Sequence, residues 1–175
     1  MREILFIAAL LCVASLGFAQ PKAIKSFYDK YKNLEGVEDI KLQGWLIKLA
    51  AGFADEDPEA KRLLKKITQL RILTMDHGNL VSQQEYNQLV KTIRQENFED
   101  LFMVKDQGKN IQFLIREKGE TITDVLLLIS GDKEFVLLSL EGLLKFSDLN
   151  DLNIEVEGSD HFKKLPENKK DIPKA

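Results

Sequence analysis

The chain has 175 residues and a formal net charge of −3. That length suits one domain. So small a charge of mixed sign gives no electrostatic case for nucleic acid or an anionic membrane as partner.

The chain opens on Met1, Arg2 and Glu3, followed by an uncharged run from Ile4 to Leu16, then Gly17, Ala19, Gln20 and Pro21. This is the charged, apolar and small-residue sequence of a secretory signal. It predicts a signal peptide over residues 1–19, cut between Ala19 and Gln20. The apolar run is shorter than the about 20 residues of a spanning helix, which argues against a retained anchor. A lipoprotein signal at Cys12 is disfavoured, because Leu11 occupies the position that must be small. Cleavage removes Cys12, so the mature domain has no cysteine, and disulfides, thiolate nucleophiles and cysteine metal sites drop out. No later stretch is long and apolar enough to span a bilayer.

Ile24, Phe27, Tyr28 and Tyr31 follow helical spacing and predict one buried face on a helix ending near Asn33. A loosely alternating strand over 37–42 follows, with Val37, Ile40 and Leu42 apolar. Trp45, Leu46, Leu49, Ala50 and Phe53 predict the buried face of a second helix. Asp57 and Pro58 open a third, with Ala60, Leu63, Leu64 and Ile67 on its apolar face. Residues 70–75 read as a more buried strand. Ser82 and Glu85 form a capping box before a fourth helix, whose inner face is Tyr86, Leu89, Val90 and Ile93.

After Asn97 come four β-prone runs, at 101–104, 111–115, 122–129 and 135–140. Gly108, Gly119 and Gly131 break them and Gly142 closes the last, which is the pattern of an antiparallel meander. Over 125–140 both strand faces are apolar, since Val125, Leu127 and Ile129 alternate with Leu126 and Leu128. Such strands belong in the middle of a sheet covered on both sides. Either the helices divide between the faces or one face awaits a partner, and internal coverage is favoured. The 111–115 strand, carrying Gln112 and Arg116, reads as nearer an edge. A short helix capped by Ser147 runs through Leu149 and Leu152. The domain is expected over 20–155, with a charged, frayed tail over 156–175. Together these elements predict an α+β fold, with an antiparallel-rich sheet and a C-terminal four-strand meander packed against several helices. The first strands join that sheet, parallel neighbours among them being left open.

Candidate chemistry is sparse. His77 sits in a polar turn and His161 in the tail, without metal-ligand spacing. Asp55, Glu56 and Asp57 precede a helix, where acidic residues are favoured by the helix dipole. Asp124, Asp132, Glu134 and Glu141 flank the long strands, and two of them meeting in a cleft would suit hydrolysis. Tyr28, Tyr31 and Trp45 read as core rather than as a ligand-stacking platform. Lys163, Lys164, Lys169 and Lys170 are interleaved with Glu167 and Asp171, as in a solvated tail. No catalytic residue is assigned, and no cofactor or metal is expected.

Several segments resemble the exported DUF4252 family, found mainly in Bacteroidota. They are the Phe27–Lys32 helix segment, Glu35-Gly36-Val37, Arg71-Ile72-Leu73, Leu101-Phe102-Met103-Val104-Lys105-Asp106, and Ser130-Gly131-Asp132 leading to Phe135-Val136-Leu137. The similarity runs from the leader to about Asn153. It implies an envelope or secreted protein, periplasmic or at the cell surface, and brings no functional residues with it. The expected function is a non-catalytic binding or interaction module of the envelope. A protein partner or an apolar ligand is expected, with a homo-oligomer left open. The alternative is an envelope hydrolase using dispersed carboxylates, assisted by His77.

Overall fold

The structure is a computed structural model that describes residues 20–53, 58–106 and 108–149. In chain order these form α1 (Lys22–Tyr31), β1 (Glu38–Gln43), α2 (Gly44–Phe53), α3 (Pro58–Lys66), β2 (Ile67–Met75) and α4 (Gln83–Gln95). The meander follows as β3 (Phe98–Asp106), β4 (Lys109–Lys118), β5 (Thr121–Ser130) and β6 (Phe135–Leu144), before a 3-10 turn at Phe146–Leu149. The fold is α+β, built on one six-stranded sheet in the order β1-β2-β6-β5-β4-β3.

Every pairing is antiparallel, so the first strands join the sheet without parallel neighbours. The connections explain why. Between β1 and β2 the chain runs through two helices, α2 and α3, and a there-and-back excursion returns it antiparallel. Between β2 and β3 there is one helix, α4, and a single crossover restores the original direction. Four antiparallel steps separate β2 from β3 in the sheet, so the two do run parallel, but at a distance, with the meander between them.

The sheet is the middle layer. On its first face, Leu73, Met75, Leu114, Leu126, Leu128, Phe135 and Leu137 pack with Ile24, Phe27 and Tyr28 of α1 and Tyr86, Leu89, Val90 and Ile93 of α4. On its second face, Phe113, Ile115, Val125, Leu127 and Leu140 form a separate core with Ile47 of α2, Leu63 of α3 and Leu149. The helices thus divide between the faces, as strands apolar on both sides require. β5 and β6 occupy the centre and β4 lies next to the edge strand β3. Even so, β4 is buried on both faces from Ile111 to Ile115.

Four local expectations are corrected. The second helix turns its other side inward: Ile47 and Ala51 are buried, whereas Trp45 is 65% exposed and Leu46 and Leu49 are also exposed. Its segment is apolar all round apart from Lys48, so spacing alone could not phase it. Ile67 is not on the third helix but opens β2, because α3 runs into that strand without a loop. Gly142 does not close β6 but lies inside it, where a Cβ would come within 2.7 Å of the Lys66 carbonyl oxygen. Ser147 lies within the 3-10 turn rather than before it, and Asp148, also within the turn, accepts through Oδ2 from the Lys145 N–H at 2.6 Å. Asp57 and Leu152, with the leader and the tail, lie outside the described residues, as do the side chains of Ala50 and Phe53.

Candidate functional site

The capping box begins α4 as the sequence predicts. Ser82 Oγ accepts from the Glu85 N–H at 3.3 Å, and Glu85 Oε2 accepts from the Ser82 N–H at 3.2 Å. With the apolar stripe of α4 pressed on the sheet, the next stripe, Gln83, Asn87, Lys91 and Gln95 at four-residue spacing, overhangs the β3 edge. Opposite stand Met103 and Lys105 of β3 and Asn110 and Gln112 of β4. Between them lies a groove of about 720 Å³, within the size range of ligand sites.

A chain of hydrogen bonds stiffens the groove. Tyr86 Oη donates to Gln112 Oε1 at 2.7 Å, Gln112 Nε2 donates to Asp100 Oδ1 at 3.2 Å, and Arg94 Nε donates to Asp100 Oδ2 at 2.9 Å. Burial, reinforced by the Asp100 charge, pushes the Tyr86 hydroxyl up to about 12, so it stays protonated and a donor at neutral pH. Gln112 is therefore fixed with its carbonyl towards Tyr86 and its amide towards Asp100. Among the described residues the lining carries three cations, Lys91, Arg94 and Lys105; Arg94 is paired with Asp100 at 2.9 Å, which leaves Lys91 and Lys105 to supply the positive charge. In a chain of net charge −3 this is a local concentration of positive potential.

The carboxylates flanking the long strands separate into two groups. Asp124 and Glu141 are directly opposite each other on β5 and β6, and both are buried on the first face. Asp124 Oδ2 accepts from Arg116 Nε at 2.8 Å and from Thr123 Oγ1 at 2.6 Å, while Glu141 Oε1 accepts from Gln69 Nε2 at 2.8 Å. Burial, and after it the Asp124 charge, raises the Glu141 carboxyl from 4.5 to about 6. Asp132 and Glu134 lie at the opposite end of the same hairpin, where Glu134 pairs with Lys109 at 2.8 Å. His77 is exposed in the bend after β2. Asp55, Glu56, Asp57 and His161 lie outside the described residues. Tyr28 and Tyr31 are core, as expected, but Trp45 is not. Among the described residues no cluster of three or more His, Cys, Asp or Glu could hold a metal ion. No described helix is long and apolar enough to cross a membrane.

A family model described as a domain of unknown function, DUF4252, matches residues 31–152. The chain belongs to the DUF4252 family. The match begins at Tyr31, so residues 1–30, with most of α1, precede it. It takes in α4, the meander and thus the whole groove of the DUF4252 domain. No curated protein and no solved structure matches the chain. The groove was not legible in the sequence. Gln83, Asn87, Lys91 and Gln95 form an ordinary polar helix stripe there, and only the overhang of α4 beyond the β3 edge makes it a wall.

Proposed function

We propose that this DUF4252 domain is an exported, non-catalytic binding module of the cell envelope, and that the α4–β3 groove holds a polar ligand bearing carboxylates. The observation that carries this reading is the lining: Lys91 and Lys105, with Arg94 beside them paired to Asp100, and the amide side chains of Gln83, Asn87, Gln95 and Asn110. The cations attract the negative charge, and the amides offer paired donors and acceptors to hydroxyl or amide groups. The bonds among Tyr86, Gln112, Asp100 and Arg94 fix the wall behind that array, which lowers the ordering cost of binding. Export is supported by the apolar leader with small residues before Gln20. An acidic ligand replaces the apolar one expected from strands with two apolar faces, since helices occupy both faces.

Hydrolysis by paired carboxylates draws support from the meeting of Asp124 and Glu141. Both are buried, however, and held by Arg116, Thr123 and Gln69, which suits a structural pair better than one that must reach a substrate.

Calorimetric titration with a short uronic-acid oligosaccharide, and with an oligoglutamate of equal charge, tests the reading and separates two sources of the same carboxylate chemistry. Binding to at least one is expected, weakening as salt screens the charges. The double variant Lys91→Glu, Lys105→Glu should lose about tenfold or more in affinity, about 1.4 kcal/mol. Absence of binding to both, or equal affinity in the variant, would overturn the proposal.

A further inference from the structure

The second candidate surface lies across the molecule, at the β1 edge. β1 is the outermost strand. Ile40 and Leu42 are register partners of Ile72 and Leu70, so they lie on the second face, the one that α2 packs on through Ile47. Ile40 is 50% exposed, and Leu42, Trp45, Leu46 and Leu49 are exposed beside it in sequence. A helix apolar all round is normally covered on all sides, and a strand edge with unpaired backbone groups is a template for another strand.

We propose that the occupant is a second copy of this chain, the two β1 strands pairing antiparallel about a two-fold axis through Ile40. Charge and strand overlap together select the register. In an antiparallel pair related by a two-fold axis, a residue on the axis faces its own copy, and the residues on either side of it face each other. An axis at Asp39 sets two carboxylates opposite each other, and one at Lys41 sets two ammonium groups opposite each other, both unfavourable. An axis at Ile40 sets the partner's Lys41 opposite Asp39, twice over, where it would share a carboxylate already bonded to Arg71 at 2.6 and 2.7 Å; it also joins Ile40 to the partner's Ile40 and overlaps most of the strand. The result is a continuous twelve-stranded sheet with a self-complementary interface. Both α2 helices then lie on the same side of it, flanking the axis, so that Trp45 and Leu49 leave water.

Three measurements on the protein test this, two of them on variants. Trp45 is the only tryptophan, so its emission should shift to the blue with rising protein concentration, in step with dimer mass in sedimentation equilibrium. Lys41→Glu, whose new carboxylate faces the partner's Asp39, should weaken the dimer about tenfold or more while the circular dichroism is unchanged. In the processed protein, residues 20–175, which contains no cysteine, Ile40→Cys should oxidise rapidly to a covalent dimer, whereas Leu42→Cys, away from the axis, should not. The proposal fails on either of two results: a monomer at all concentrations, whether Trp45 stays exposed, is shielded by the chain's own residues or is buried in phospholipid vesicles; or faster crosslinking at Leu42→Cys than at Ile40→Cys.

Discussion

Tyr28 shows how much of the fold depends on a single hydroxyl. Its ring fills the first-face core, and its Oη lies 3.0 Å from the Arg71 carbonyl, 3.1 Å from the Leu137 carbonyl and 3.1 Å from Ser139 Oγ. The Arg71 guanidinium lies over the ring at 3.9 Å and is held there by two bonds to Asp39, at 2.7 and 2.6 Å. One phenol thus ties α1 to β2 and β6. Tyr28→Phe keeps the packing but removes the hydrogen bonding of a buried hydroxyl, so urea unfolding should report a loss of about 0.5–1.5 kcal/mol. Glu141 gives the opposite sign. Its carboxyl holds a proton more tightly folded than unfolded, so its contribution to stability falls as pH rises from about 4.5 through about 6. Above that window the ionised, buried form costs about 2 kcal/mol. Glu141→Gln keeps an acceptor for Gln69 and removes the charge. Its stability relative to the parent should therefore rise across that window and stay higher at pH 7, as urea titrations at stepped pH would measure. A flat difference would mean that the Glu141 proton is not linked to folding. The sequence located Tyr28 in the core from helical spacing. It could not show that its hydroxyl serves two strands, because those partners lie 43 to 111 residues away.

Among the elements, the α3–β2 junction is the most constrained. Helix passes into strand between Lys66 and Ile67, and two glycines admit the junction. A Cβ at Gly44 would come within 2.8 Å of the Thr68 carbonyl oxygen, and one at Gly142 within 2.7 Å of the Lys66 carbonyl oxygen. Backbone cannot yield there as a flexible side chain can. Gly142→Ala should therefore cost about 1–3 kcal/mol in a thermal melt. Gly52→Ala, on α2 with nothing within 4 Å of the new Cβ, should be neutral or stabilising by up to about 1 kcal/mol. On the helix side of the same junction, Lys66 Nζ reaches both Asp148 oxygens at 2.6 Å. Burial opposes ionisation of Asp148, but the bonds from Lys66 and the Lys145 N–H outweigh it and hold the carboxyl low. The elements themselves were largely legible, because α1, α4 and the meander have clear periods and turn residues. The phase of α2 was not, since ten residues with a single charge offer no polar side to set against an apolar one. Gly142 was misread as a terminator because a glycine required for close approach looks the same in sequence as one required for a turn.

At the scale of the whole molecule, two surfaces of opposite character lie at opposite edges of one sheet. The β3 edge carries a cationic, amide-lined groove under α4, and the β1 edge carries an apolar surface around α2. The sequence implied a middle-layer sheet from strands apolar on both faces, and the structure covers both. It did not imply the groove, because its residues come from one helix and two strands that are unremarkable separately. Side-chain amide spectra provide the most direct test of the binding reading. In a nitrogen-labelled sample titrated with a uronic-acid oligosaccharide, the NH₂ signals of Asn87, Gln95 and Asn110 should move together and saturate. The Trp45 indole signal should stay in place. Signals that never move, or movement confined to Trp45 and β1, would contradict the claim that the α4–β3 groove is where this domain meets its ligand.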